Sequence, residues 1–275
     1  MLNRIFKIKH LSLVIITHLI VCCPTTSCAQ SNFFTHPTYG LWPQVLDDYK
    51  VHYGLYGLPK LILGLGIAGL MANDDFDSIV RDEWQDRLKG KASNNFFNLV
   101  DDYSGLSQYK IMIPVYFISA WIGSHNPHPT FQIVGKWGNH SIRALLLGAP
   151  QQAFFTELLG SPRPEMSSSK WALFDSNRAV SGHAFYGALP ILAAAKLSES
   201  LSAKFLFYTL SLLPPLARIH NDKHYASQAF LGWWLALQSV NSVAYSNIVR
   251  KFNKSQSTQL IILPKQIYFH YAMQF

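Results

Sequence analysis

Three short polar islands interrupt the apolar second half of this chain. They are Ser161-Pro162-Arg163-Pro164, Val180-Ser181-Gly182-His183, and the run Arg218-Ile219-His220-Asn221-Asp222-Lys223-His224-Tyr225-Ala226-Ser227-Gln228. Apolar helices pack without arginine, histidine or serine, so the recurrence of these residues asks for a chemical reason. A tetrahedral oxyanion supplies one. Guanidinium offers its oxygens a planar fork of donors, and a serine hydroxyl and a glycine N–H add more. Imidazole can act on the same group as nucleophile or as acid. Arg163, Ser181, Gly182, His183, Arg218 and His224 are therefore the candidate site residues.

Two other patterns compete for attention. His220 and His224, four apart, would share one helical face with Asp222 between them, a spacing also used for zinc. A zinc hydrolase places glutamate directly after the first histidine; here that residue is Asn221, and His183 is the remaining third ligand. Gly64-Leu65-Gly66-Ile67-Ala68-Gly69 matches a dinucleotide fingerprint letter for letter. Such a fingerprint needs a strand before it and a second parallel strand after it, whereas an acidic helical stretch follows. Small residues that let two helices approach closely explain the glycines better.

Taken together, the islands resemble the signature of the type 2 phosphatidic acid phosphatase superfamily, which includes bacterial class A acid phosphatases and vanadium haloperoxidases. That signature reads Lys-x6-Arg-Pro, Pro-Ser-Gly-His and Ser-Arg-x5-His-x3-Asp. Arg163-Pro164 fits the end of the first part, Ser181-Gly182-His183 the second, and Arg218 with His224 the third. The resemblance implies phosphoryl transfer through a covalent histidine. His224 would attack phosphorus and His183 would protonate the leaving oxygen. Arg163, Arg218, the Ser181 hydroxyl and the Gly182 N–H would hold the equatorial oxygens. No metal or other cofactor is required on that scheme, because two guanidiniums bring the positive charge that magnesium would otherwise supply.

The chain departs from the signature at four places. Thr156 stands at the lysine, Val180 at the proline, Ala217 at the serine, and Gln228 at the aspartate that would orient the nucleophile. Gln228 can still accept a hydrogen bond from the imidazole, but it brings no charge, and a flipped amide would select the wrong tautomer. Loss of the corresponding charge in a serine protease is worth roughly 10⁴ in turnover. Glu157 and Asp222 are the carboxylates that could stand in.

The rest of the chain must hold these islands together. With 275 residues, 49% hydrophobic and only 14% charged, it can bury a large core in one domain. The first thirty residues have the build of an export leader. Arg4, Lys7 and Lys9 precede the apolar run from Leu11 to Cys23, and Ser27-Cys28-Ala29 offers small residues for cleavage before Gln30. Residues 1–29 are thus expected to be a signal peptide, and Cys22, Cys23 and Cys28 all fall inside it. Release would leave a chain without thiols, with neither disulfides nor cysteine chemistry.

The net charge of +8 includes Arg4, Lys7 and Lys9 of the leader, so the released chain would carry +5, which suits a phosphorylated small molecule, a lipid phosphate or an anionic membrane surface. No run of basic residues interleaved with aromatics appears, so nucleic acid is not an expected partner.

Apolar runs at helical spacing predict an all-α, single-domain helical bundle over residues 30–275, resembling the phosphatidic acid phosphatase and haloperoxidase core. Helices are expected near Gln44–His52, Leu61–Ala72, Ser78–Leu88, Ile111–Ile122, Ile142–Leu159, Ala184–Leu197, Phe205–Ile219 and Ala226–Val249. Asn73-Asp74-Asp75-Phe76-Asp77 is expected to cap one of them. Most of the runs fall short of the roughly 20 residues a bilayer needs, which favours core helices. Residues 225–249 carry no charge, which leaves an integral membrane form open.

Overall fold

The computed structural model describes residues 40–107, 111–166, 168–175 and 178–257, with the backbone alone at residues 254–257, 262–263 and 266–267. The expected leader, its cysteines and its cleavage site lie outside the described residues. What is described is one all-α domain. Its helices are α1 Leu41–His52, α2 Leu58–Asn73, α3 Phe76–Arg87, α4 Lys91–Ser107, α5 Met112–His125, α6 Pro129–Leu158, α7 Gly182–Leu197, α8 Leu201–Leu210, α9 Leu213–His220 and α10 Ala226–Ser257. Beyond α10 the chain makes a small antiparallel pairing of Ile262–Leu263 with Gln266–Ile267.

The helices α6, α7 and α10 form the centre. Helix α7 is small and apolar on every side (Ala184, Ala188, Leu192, Ala193, Ala194 and Ala195 are all fully buried) and is enclosed by α4, α6, α8, α9 and α10. An all-round apolar helix can be satisfied only by burial. Leu231, Leu235, Val240 and Val243 of α10 close the core from one side, and Ala144 and Leu147 of α6 from another. Glycine decides how close α5 and α6 come. A Cβ on Gly123 would lie 2.4 Å from the Gly135 Cα, and one on Gly138 would lie 2.5 Å from the Tyr116 carbonyl oxygen.

Local chemistry sets the ends of the helices. Ser181 caps α7 and Ser200 caps α8, each hydroxyl accepting a backbone N–H from the first turn. Pro59, Pro129 and Pro214 stand in the first turns of α2, α6 and α9, where a missing N–H costs nothing. Far from the islands, Asp48 of α1 receives Nε and a terminal nitrogen of Arg143 from α6, both residues fully buried. Arg250 and Asn247 of α10 join the same cluster, tying three helices together.

Several expectations need correction. The run 205–219 is two helices, broken at Ser211-Leu212 before the Pro214-Pro215 pair. Helix α6 starts at Pro129, well before Ile142, and α4 was not expected at all. Asp75 caps α3 by position without a side-chain bond, while Asp77 turns inward. It accepts from the Ser227 N–H at 2.8 Å and from the Ser227 hydroxyl, so it caps α10 instead of its own helix. Burial raises the Asp77 pKa despite those donors. Two of the three glycines of residues 64–69 serve contact: a Cβ on Gly64 would fall 2.2 Å from the Trp234 indole, and Gly69 faces Trp171, whereas Gly66 has open space beside it. No helix among the described residues is long and apolar enough to cross a membrane.

Candidate active site

The three islands converge on Gln228. Its backbone carbonyl accepts the Ser181 N–H at 3.1 Å, which brings in the second island. Its amide nitrogen donates to the Pro162 carbonyl at 2.6 Å and to Ser161 Oγ at 2.8 Å, which brings in the first. Its Oε1 lies 2.9 Å from His224 Nδ1 and accepts the Tyr225 N–H at 3.2 Å, within the third. Gly232, one turn further along α10, leaves room for the Ser181 carbonyl; a Cβ there would come within 2.4 Å of it.

These partners fix which way the amide faces. A proline carbonyl can only accept, and a backbone N–H can only donate. Ser161 Oγ gives its proton to the Ser169 carbonyl at 2.6 Å, so toward Gln228 it accepts. Oε1 must therefore be the atom that meets His224. An amide oxygen carries no hydrogen, so Nδ1 is the protonated nitrogen and Nε2 keeps its lone pair. The network assigns the tautomer that a nucleophile needs.

Arg163, His183, Arg218 and His224 come from four separate stretches and share one electrostatic neighbourhood. His224 is buried and held well below an ordinary histidine, first by burial, then by the charges of Arg218 and Arg163. His183 is pushed down to about 4 by burial and by Arg218 and Arg163, against an opposing pull from Asp101. Arg163 is lowered by burial and by the charges of Arg178 and Arg218. Positive groups crowd one another here, and a bound anion would relieve all of them. Both Arg163 Nε and Arg218 Nε are buried and without a hydrogen-bond partner. A buried donor left unpaired costs about 1–3 kcal/mol, which an acceptor bound at these atoms would recover.

Helix α4, which has no continuous apolar run to mark it in the sequence, supplies the back wall. Asp101 accepts from an Arg218 terminal nitrogen at 2.6 Å. One turn later, Gly105 lies beneath His183, whose Nε2 is 3.4 Å from where a Cβ would stand. Ser181 caps α7 with its hydroxyl accepting the Ala184 N–H at 3.3 Å. An accepting hydroxyl still has a proton to give. Gly182 opens the helix, where N–H groups and the positive end of the dipole would favour an anion.

The residues between the islands' chemistry are spoken for. His220 ends α9 and does not share a helix with His224, because the turn 221–225 intervenes. Its Nδ1 accepts the Trp84 indole N–H at 3.2 Å and its Nε2 meets Asn94 Oδ1 at 2.8 Å, with Phe97 stacked on the ring. Asp222 does not reach His224 as a substitute carboxylate. It is clasped by Arg81 through two bonds of 2.7 Å. Glu157 points to solvent from α6. Thr156, at the lysine position, donates to the Gln152 carbonyl at 2.7 Å and rests 3.4 Å from the Val180 carbonyl, steadying the turn before Ser181. Among the described residues no group of three histidines and carboxylates is placed to hold a metal ion.

No protein-family model, curated protein or solved structure matches this chain.

Proposed function

We propose that this protein is an exported, metal-independent phosphatase of the phosphatidic acid phosphatase type. Its substrate would be a phosphomonoester or pyrophosphate, with a lipid phosphate favoured by the apolar, aromatic-rich chain. One observation carries the proposal. Two guanidiniums with unpartnered buried Nε atoms bear electrostatically on two uncharged imidazoles that are remote from each other in sequence. Export is supported by the leader-like composition of residues 1–29.

The chemistry uses these groups as they stand. His224 Nε2 attacks phosphorus in line, forming an N–P bond as the bond to the leaving oxygen breaks. His183, protonated once the bound dianion offsets the neighbouring arginines, gives its proton to that oxygen. Gln228 holds Nδ1–H through the step. Arg163, Arg218, the Ser181 hydroxyl and the Gly182 N–H carry the equatorial oxygens, where charge collects in the transition state. Water then attacks the phosphohistidine with His183 as base, returning phosphate and free imidazole.

A second reading has its own observation. His224 is oriented by a neutral amide, and no carboxylate is available to stabilise the imidazolium it approaches during attack. A relative that binds phosphate or lipid headgroups without turnover would look the same. Release of phosphate from para-nitrophenyl phosphate and from phosphatidic acid, with EDTA present, separates the two. Turnover that orthovanadate inhibits and His224→Ala abolishes supports the phosphatase. Saturable vanadate binding without turnover supports the binding protein.

A further inference from the structure

The loop that follows Arg163 turns three large apolar side chains to solvent: Met166 is 62% exposed, Leu173 66% and Phe174 75%. They are held in that position. Phe174 occupies the left-handed region at φ 63°, which a bulky L residue adopts only when its surroundings impose it. Its N–H is bonded to the Leu158 carbonyl at 3.2 Å, and the Asp175 N–H to the Ala172 carbonyl at 3.0 Å. Gly160, itself at φ 61°, takes the Ala172 oxygen where any Cβ would be.

The loop is also fastened to α2. Ser169 Oγ donates to the Ala72 carbonyl at 2.9 Å, the Trp171 N–H donates to Asn73 Oδ1 at 3.1 Å, and the Trp171 indole lies against Gly69. Beside that contact Leu70 is 75% exposed, and Ile62, Leu63 and Ile67 continue the apolar face along α2.

Exposed apolar surface of this extent marks something that covers it. The cover has to leave the phosphate site reachable. Met166 lies three residues after Arg163, and its N–H is bonded to the Arg163 carbonyl. A protein seated on Met166, Leu173 and Phe174 would therefore shut off the partly exposed Arg163. A lipid surface does the opposite, since it offers acyl chains and phosphates side by side, at the depth an apolar face reaches. Charge agrees with an anionic surface. The chain is net +8, or +5 without Arg4, Lys7 and Lys9 of the expected leader, and Arg163, Lys170 and Arg178 outnumber Glu165 and Asp175 on this loop. We infer that Met166, Leu173, Phe174 and the outer face of α2 ending at Leu70 dock onto an anionic bilayer, setting the phosphate site against its headgroup layer. The inference rests on the phosphate chemistry proposed above for its choice of cover.

The test separates docking from turnover. In the full chain with Cys22, Cys23 and Cys28 replaced by serine, a polarity-sensitive fluorophore is attached at Phe174→Cys. In a second preparation it is attached at Ser124→Cys, in the last turn of α5 just before α6 begins. The loop is bonded to Leu158 at the other end of α6, a helix of 30 residues spanning about 45 Å. Phosphatidylglycerol vesicles should blue-shift the label at 174 and leave that at 124 unchanged, with phosphatidylcholine giving a smaller shift. No shift at 174, or equal shifts at both, overturns the inference. So does a shift at 174 that depends on protein concentration without vesicles, because a second copy is then the cover. These outcomes need no catalysis. Where phosphatase activity is found, Leu173→Ser with Phe174→Ser should lower kcat/KM at least tenfold on phosphatidic acid in vesicles. On para-nitrophenyl phosphate it should change less than twofold, and equal losses on both overturn docking while leaving the phosphatase standing.

Discussion

The Gln228 amide nitrogen lies 2.6 Å from the Pro162 carbonyl oxygen, across 66 residues of chain. That contact determines what a carboxylate at position 228 would do. Gln228→Glu would aim an acceptor at an acceptor, and it would also lose the donor that Ser161 receives. Leaving buried partners unpaired costs about 1–3 kcal/mol each, so denaturant unfolding should show a loss of about 2 kcal/mol or more. The tautomer of His224 is already set by the amide oxygen, so turnover of para-nitrophenyl phosphate should rise less than tenfold. A thousandfold gain would show that the native amide leaves the nucleophile misdirected.

Asp101 is the site's negative counterweight. It pairs with Arg218 and raises the proton affinity of His183. With Asp101→Asn the two guanidiniums face His183 unopposed, and its pKa falls further. The proton that the leaving oxygen needs is then lost at lower pH. The alkaline limb of the kcat profile should move to lower pH, whereas a purely structural role would lower the rate equally at every pH.

Histidine burial also makes the fold acid-sensitive. His52, His140, His183, His220 and His224 all have folded-state pKa values below 6.5, and for His140 and His183 the value is about 4. Between those limits the unfolded chain binds more protons than the folded one, so stability falls as pH drops from about 6.5 toward 4. Asp77, raised by burial, works against that slope but is one group against several. Bound phosphate favours the protonated form of His183. Melting temperatures measured from pH 7 to pH 4.5 should decline steeply in its absence and more gently with saturating phosphate. Parallel lines would mean that the anion does not sit beside these imidazoles.

How much of this was legible beforehand depended on whether a feature is local. Helices α2, α5, α7 and α10 announce themselves because their apolar runs must be buried, whereas the break between α8 and α9 is hidden inside one continuous apolar run, 205–219. Nearly half of helix α4 is serine, asparagine and aspartate, set around three aromatics. Its apolar residues Phe97, Val100 and Tyr103 are spaced as a helix requires, but no continuous apolar run marks it, although it supplies Asp101 and Gly105. The candidate site residues stood out by type, although arginine and histidine also recur in purely structural places such as Arg143, His140 and His220. Their partners did not. Nothing near Asp101 in the chain points to Arg218, and nothing near Asp222 says that Arg81 will claim it. Such pairs are made by how helices cross, which one sequence leaves unstated.

Arg178 is the residue that best compensates for Thr156. The lysine position is filled by a hydroxyl already committed to Gln152 and Val180, so the first island brings one cation fewer to the anion. Arg178 stands three residues before Ser181, exposed, and its charge weighs on Arg163 more than that of Arg218 does. A guanidinium at that range attracts a dianion into the site but need not touch the transferring group. Removing it should weaken ground-state and transition-state binding alike, which raises KM and spares kcat. Arg178→Ala is expected to raise KM for para-nitrophenyl phosphate about tenfold, equivalent to roughly 1.4 kcal/mol, with kcat within a factor of three. The increase should shrink in 0.5 M salt as the charge is screened. A fall in kcat with KM unchanged would instead make Arg178 a transition-state ligand, and no change in either would remove it from the site.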